Sequence, residues 1–195
     1  MSRLLSALLV TAFPLAALAA PQTYVIDPIH SFPHFKVNHL GMTSILGRFE
    51  GMKGEVVYDD AAKAGSLEVK IPTATISTGD GKRADGARSR DEHLRTADFF
   101  NSSEFPEMVY KSTKLNFKGD TLESIDGNLT LLGVTKPLKL NVSAFKCGPH
   151  PFNKKPMCGA EAEGTLKRTD FGMKYGVPGV SDEVKLTIGV EAYPK

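Results

Sequence analysis

The residues with the most chemical potential sit in one stretch, Ser89 to Phe100, reading Ser-Arg-Asp-Glu-His-Leu-Arg-Thr-Ala-Asp-Phe-Phe. Arg90, Asp91 and His93 supply a cation, a carboxylate and an imidazole almost side by side. An acid–base set works on a nucleophile or a metal-bound water, and the sequence offers no nucleophile with these three. Arg90 beside a cavity mouth would instead suit a phosphate or other anionic head group. Asp91 reads as a group that orients a neighbour. The plainer reading of the whole stretch is a helical cap over one end of a β-core.

Other catalytic signatures are missing. There is no G-x-S-x-G, Walker loop, H-E-x-x-H or G-x-G-x-x-G. His30 and His34 would share a helix face, but Pro33 lies between them, and in an extended chain they stand about 13 Å apart. No shared metal is expected there. His39 continues the face of Phe35 and Val37. It is either a hydrogen-bonded core histidine or a polar handle for a ligand in an apolar cavity. Cys147 and Cys158 are expected to form a disulfide, worth about 3 kcal/mol for so short a loop. Zinc is a poor alternative, because only His150 accompanies them and no second Cys pair exists.

The elements that must position these groups are mostly strands. Ser89 and Glu92 form a capping box, and Asp91 and Glu92 suit the positive end of a helix dipole. Asp91 and Arg95 are spaced to pair. The helix should be about two turns and run out near Asp98, with Phe99 and Phe100 as apolar anchors. Elsewhere the period is two. Phe35, Val37 and His39 alternate with Lys36 and Asn38; Leu67, Val69 and Ile71 with Glu68 and Lys70, a face carried past Pro72 to Ala74 and Ile76. Met108, Tyr110 and Ser112 form another face, as do Leu138, Leu140, Val142 and Ala144. Ala160, Ala162, Gly164 and Leu166 give a face of mostly small residues. Gly47, Gly51 and Gly54 mark bends within Ile45–Tyr58. Lys118-Gly119-Asp120 and Leu132–Pro137 read as turns. About eight or nine strands at hairpin spacing mean a sandwich or an up-and-down barrel.

The totals bound the rest. Arg3, the apolar run Leu4–Leu18 and Ala17-Leu18-Ala19 form a cleavable leader, residues 1–19, too short and Pro-broken to span a membrane. That leaves 195 − 19 = 176 residues, residues 20–195, as one domain. Losing Arg3 leaves 23 basic against 22 acidic residues, a formal +1. Nucleic-acid binding and stable membrane insertion are therefore not expected. The leader and the cysteines point to the periplasm.

These pieces together resemble the YceI-like family of secreted and periplasmic proteins. The resemblance rests on Asp27 with His30-Ser31, on Phe35 to Gly41, and on Gly47-Arg48-Phe49. It rests further on Arg90-Asp91-Glu92-His93-Leu94 with Asp98-Phe99-Phe100, on Phe105-Pro106, on Gly127 to Leu131 with Gly133 to Pro137, and on Asp170-Phe171. It implies an all-β fold: an eight-stranded antiparallel, lipocalin-like barrel with one short helix at its end. It also implies an apolar tunnel holding a long isoprenoid or other amphiphilic chain, with no established catalytic residue. The ligand expected here is a polyisoprenoid-type lipid such as a quinone or prenyl phosphate, with no other cofactor. Phe35, Val37 and Phe49 are expected to line the tunnel, with Leu67 and Val69 on the next strand and Met108 and Tyr110 beyond. His39, Arg90 and His93 would be its polar contacts. Two rivals remain: a partner-binding stress-response protein, with the barrel as scaffold, and an enzyme acting on lipid head groups. The sequence leaves open whether the protein is a homodimer.

Overall fold

The structure, a computed structural model, describes residues 20–195; the expected leader lies outside them. The strands are β1 (Gln22–Ile26), β2 (Phe32–His39), β3 (Thr43–Arg48), β4 (Lys53–Asp59), β5 (Ala64–Pro72), β6 (Glu107–Lys118), β7 (Thr121–Leu131), β8 (Val134–Pro149), β9 (Pro156–Lys167) and β10 (Val180–Pro194). The helix α1 is Arg90–Leu94. All strand pairings are antiparallel.

Closure depends on β10. One edge pairs with β9. The other is shared: Ala192 to Pro194 pair with β1, and Val180 to Gly189 with β2. β1 and β2 are thus one barrel strand, interrupted at residues 27–31. β3 pairs with β2 and β4 with β1, so they too share a position. The ten segments fill eight positions of a closed barrel.

Each interruption has a local cause. Pro28 removes a backbone donor, yet the break stays tied to β10. Asp27 N–H donates to the Glu191 carbonyl at 2.9 Å, and Glu191 N–H donates to Ser31 Oγ at 3.0 Å. The Asp27 carboxylate accepts from Ile29 N–H at 2.9 Å and pairs with His30 Nδ1 at 2.6 Å. Between β3 and β4 the chain turns at Gly51, whose φ of +68° favours glycine.

The strand faces differ from simple alternation in places. β6 has a register shift between Ser112 and Lys114, and β8 has one between Val142 and Ala144. A bulge moves every later side chain to the opposite face. Leu115 and Phe145 therefore turn towards the core, whereas Ala144, expected on the inner face, is exposed. The turn expected over Leu132–Pro137 is only Leu132-Gly133, both at positive φ (52° and 73°). β8 begins at Val134, with Pro137 opposite Asn128. A two-residue turn puts that pair at a non-hydrogen-bonded position, where a missing N–H costs β7 nothing. The strand expected to pass Pro72 ends there, and a 3₁₀ turn, Thr73–Thr75, follows. The disulfide forms as expected, but between facing strand residues: Cys147 lies opposite Cys158, with Cα atoms 4.1 Å apart.

The capping box is present, with Ser89 Oγ accepting from Glu92 N–H at 3.1 Å and Glu92 Oε2 from Ser89 N–H at 2.7 Å. The helix stops at Leu94, short of Asp98, and Asp91 and Arg95 do not pair. Arg95 donates instead to the carbonyls of Ala74 and Ile76, at 2.8 and 3.1 Å. The loop after β5 takes that side chain because its carbonyls lack strand partners.

The Asp27–His30 pair makes the break pH-sensitive. Burial works against the Asp27 charge, but the hydrogen bond to His30 prevails and holds the carboxyl below its ordinary 3.8. The same bond raises His30 above its ordinary 6.5. Asp27's contribution is lost as pH falls through its depressed value, and His30's is lost as pH rises through its raised value. Replacing His30→Asn should lower the melting temperature most near about pH 5 and least above about pH 8. Thermal unfolding of both proteins across that range checks this, and a pH-independent difference would rule out a charged pair.

Candidate functional site

The inward faces of these strands enclose a cavity of about 820 Å³, a size suited to one ligand. Its wall is almost wholly apolar. Leu67 and Val69 of β5, Met108 and Tyr110 of β6, Leu138 and Leu140 of β8, and Ala160 and Ala162 of β9 all line it. The alanines are the small face seen in the sequence, and they leave bore where larger side chains would fill it.

The two ends differ. At the end near the disulfide, Tyr58 stacks on Phe117 at 6.1 Å and meets Phe145 edge-on at 5.2 Å. Tyr58 Oη donates to Asp60 Oδ1 at 2.9 Å, and burial and that carboxylate push the phenol up to about 12. At the helix end, the lining residues Thr43, Ser44 and Tyr175 are exposed. The cavity opens there, between the β2–β3 turn and residues 172–179.

Polar groups gather around that opening. Asp91 is buried and accepts from Thr78 N–H at 2.8 Å and from the Thr78 hydroxyl. Arg90 Nε donates to the same hydroxyl at 2.8 Å. The chain Asp91–Thr78–Arg90 thus fixes the guanidinium at the cavity wall, and Asp91 acts as a strut. His93 Nε2 lies 2.7 Å from Asp98 Oδ2, and its ring packs edge-on against Phe99 and Tyr175 at 5.1 and 5.0 Å. His39 is half-buried on the wall, and its side chain makes no hydrogen bond to another described residue.

Arg168 is the organising cation of the opening. It is 3% exposed, and burial lowers its pKa. Nε donates to the Ser181 carbonyl at 2.9 Å, Nη2 to Val180 at 2.9 Å, and Nη1 to Met173 and Tyr175 at 3.3 and 2.8 Å. Four carbonyls from one irregular loop and the start of β10 are thereby satisfied by one side chain.

A YceI-like domain model matches residues 24–192. The chain belongs to the YceI-like family. A UPF0312 protein of Shewanella baltica is 39% identical over 99% of this chain and 98% of its own length. Protein YceI of Escherichia coli O157:H7 is 36% identical, over 90% and 89%. Among solved structures, the Campylobacter jejuni YceI protein is 26% identical with a TM-score of 0.64, over 81% of this chain and 89% of that one. A polyisoprenoid binding domain from Saccharophagus degradans shares the fold at 15% identity, with a TM-score of 0.61 over 89% and 99%. This YceI-like barrel is thus an all-β, closed, eight-stranded one with one short α-helix among the described residues.

All ten residues singled out in the sequence reach this one cavity. Phe35, Val37, His39 and Phe49 line one wall, Leu67, Val69, Met108 and Tyr110 the next strands round the barrel, β5 and β6, and Arg90 and His93 the helix end. Sequence reasoning missed Arg168, Thr78 and Tyr175. Arg168 stands two residues before the Asp170-Phe171 motif, but nothing in its spacing tells a buried arginine from a solvated one.

Replacing Arg168→Met keeps the bulk and removes every donor. Leaving those carbonyls unpaired should cost roughly 3 kcal/mol or more. Chemical denaturation checks the loss, and hydrogen exchange should show it concentrated in residues 172–181. Wild-type stability and protection would show the network to be dispensable.

Proposed function

We propose that this protein binds the apolar chain of one long-chain isoprenoid-type lipid, such as a quinone or a prenyl phosphate, and carries or stores it in the periplasm. The observation that carries the reading is the apolar cavity of about 820 Å³ within the barrel, open at one end. A barrel acting only as a partner-binding scaffold would be packed with its own side chains. The name of the Saccharophagus degradans domain, polyisoprenoid binding, points the same way. The disulfide and the expected leader support secretion.

The energetics suffice without detailed recognition. Each methylene moved from water contributes about 0.8 kcal/mol, so a dozen give roughly 10 kcal/mol before ordering costs. That scale reaches sub-micromolar affinity. His39, Arg90 and His93 would contact the head group, and the other seven lining residues named from the sequence the chain. An enzymatic role has less support, since Asp91 is buried and engaged by Thr78.

The test is native mass spectrometry of protein purified from the periplasm without detergent, with organic extraction of what it carries. One defined long-chain lipid per chain is the expected result. A protein that carries none and refuses offered farnesol and farnesyl phosphate would sink the reading. Val37 lines the cavity, and Val37→Phe should narrow the bore, lowering uptake about tenfold while the barrel stays folded.

A further inference from the structure

The cavity opening carries a group of exposed apolar side chains. Met42 is 89% exposed, Leu40 63%, Tyr175 51% and Val177 38%. They come from two neighbouring loops, the β2–β3 turn and residues 172–179, joined by Leu40 N–H donating to the Gly179 carbonyl at 2.7 Å. His39, Thr43 and Tyr175, which belong to or flank the patch, line the cavity itself. The patch is therefore the rim of the opening.

Leu40 is the telling residue. Its φ is +57° and that of Gly41 is +71°, in a turn closed by Met42 N–H on the His39 carbonyl at 3.1 Å. Such a turn favours Asn, Asp or Gly at both central positions. A leucine there is strained, and its side chain stays largely exposed, with Cδ2 resting near Gly179. Strain kept where folding rewards it little points to function.

We propose that this rim docks on the surface of a phospholipid bilayer, so that a lipid chain passes between membrane and cavity without crossing water. This rests on the lipid-binding reading above. A protein cover would stopper the opening, whereas a bilayer is where the chain comes from, and the rim is continuous with the apolar wall. Charge agrees. Lys174 lies next to Tyr175, and the loop leading into α1 carries Lys82, Arg83 and Arg88 against Asp80 and Asp85. Arg83 pairs with Asp85 at 2.8 Å, and Asp80 accepts from Arg90 N–H at 3.0 Å. Three cations against two carboxylates leave the loop at a formal net +1, and Lys174 adds one more positive charge, the sign that suits anionic head groups.

The experiment is flotation of the mature protein with vesicles of equimolar phosphatidylethanolamine and phosphatidylglycerol. The comparison is Leu40→Asn with Met42→Asn, which relieves the backbone at residue 40 and removes both apolar tips. Wild type should float, and the double variant should partition at least about tenfold less, with no drop in melting temperature. Farnesol binding in vesicle-free solution should be unchanged, while farnesol uptake from loaded vesicles slows. Wild type that stays with the unbound fraction, or a variant that floats equally well, would overturn the proposal. So would a dimer in solution that the variant abolishes, without flotation, since a second copy would then own the patch. Flotation without farnesol binding in solution would leave the docking face standing and strike the lipid-binding reading instead.

Discussion

Tyr110 lies flat across β7 because Gly127 has no side chain. A Cβ at residue 127 would overlap the Tyr110 ring and crowd the Lys111 carbonyl. The Tyr110 hydroxyl reaches past it to the carbonyls of Ile125 and Leu138, at 3.2 and 3.1 Å. Burial holds the phenol protonated, so it remains a donor. Phe35 lies over Gly47 in the same way on the opposite side. An eight-stranded barrel is just wide enough for its own side chains to fill. Two large rings standing across the bore would close it; laid along the wall over glycines, they leave a lumen. The open cavity thus depends on glycines placed under aromatics as much as on the alanines of β9.

The bulges complete that arrangement. β9 keeps strict alternation from Cys158 to Leu166, whereas β6 and β8 change phase part-way. The shifts in β6 and β8 reset the phase, turning Leu115, Phe117 and Phe145 inward. Those residues, with Tyr58, make the narrow end. The disulfide lies just beyond, holding β8 to β9 where β8 has run past the end of its pairing with β7. At the wide end the work passes from sheet to side chains. Strand pairing gives out past β5 and β10, and Arg168, Arg95 and the Thr78–Asp91 pair take up the free backbone groups.

Most of the architecture was legible in the sequence because it is written in period two. The faces of β2, β5, β8 and β9 were read correctly up to the first bulge. The capping box located α1, and the paired motifs around residues 90–100 and 127–137 carried the family. Three things were not legible, for one reason: each is a long-range effect. Ala144 was assigned inward because a bulge leaves no local mark. Arg95 was given to Asp91 because helix spacing is visible in a sequence, whereas the unpaired carbonyls of Ala74 and Ile76 appear only on folding. Arg168 was passed over because its four acceptors come from residues 173–181, a loop with no regular pattern. The alternating faces and the Arg90–His93 cluster at the mouth were thus readable in advance; the Arg168 network that builds the other side of the opening was not.

The asymmetry of the two ends also sets a direction for any amphiphile in the lumen. The narrow end offers aromatic faces and a Tyr58 hydroxyl already spent on Asp60, so a polar head placed there would be desolvated without a partner. Such burial costs about 1–3 kcal/mol or more, with no partner at that end to offset it. Arg90 and His39 lie at the wide end, where water also reaches. A lipid bound in this barrel should therefore enter tail first, with its head held near α1. Stability then follows occupancy, because a ligand that binds only the folded barrel adds about 2.7 kcal/mol at a hundredfold excess over its Kd. In that state the lipid chain is the part of the core that the sequence does not itself supply.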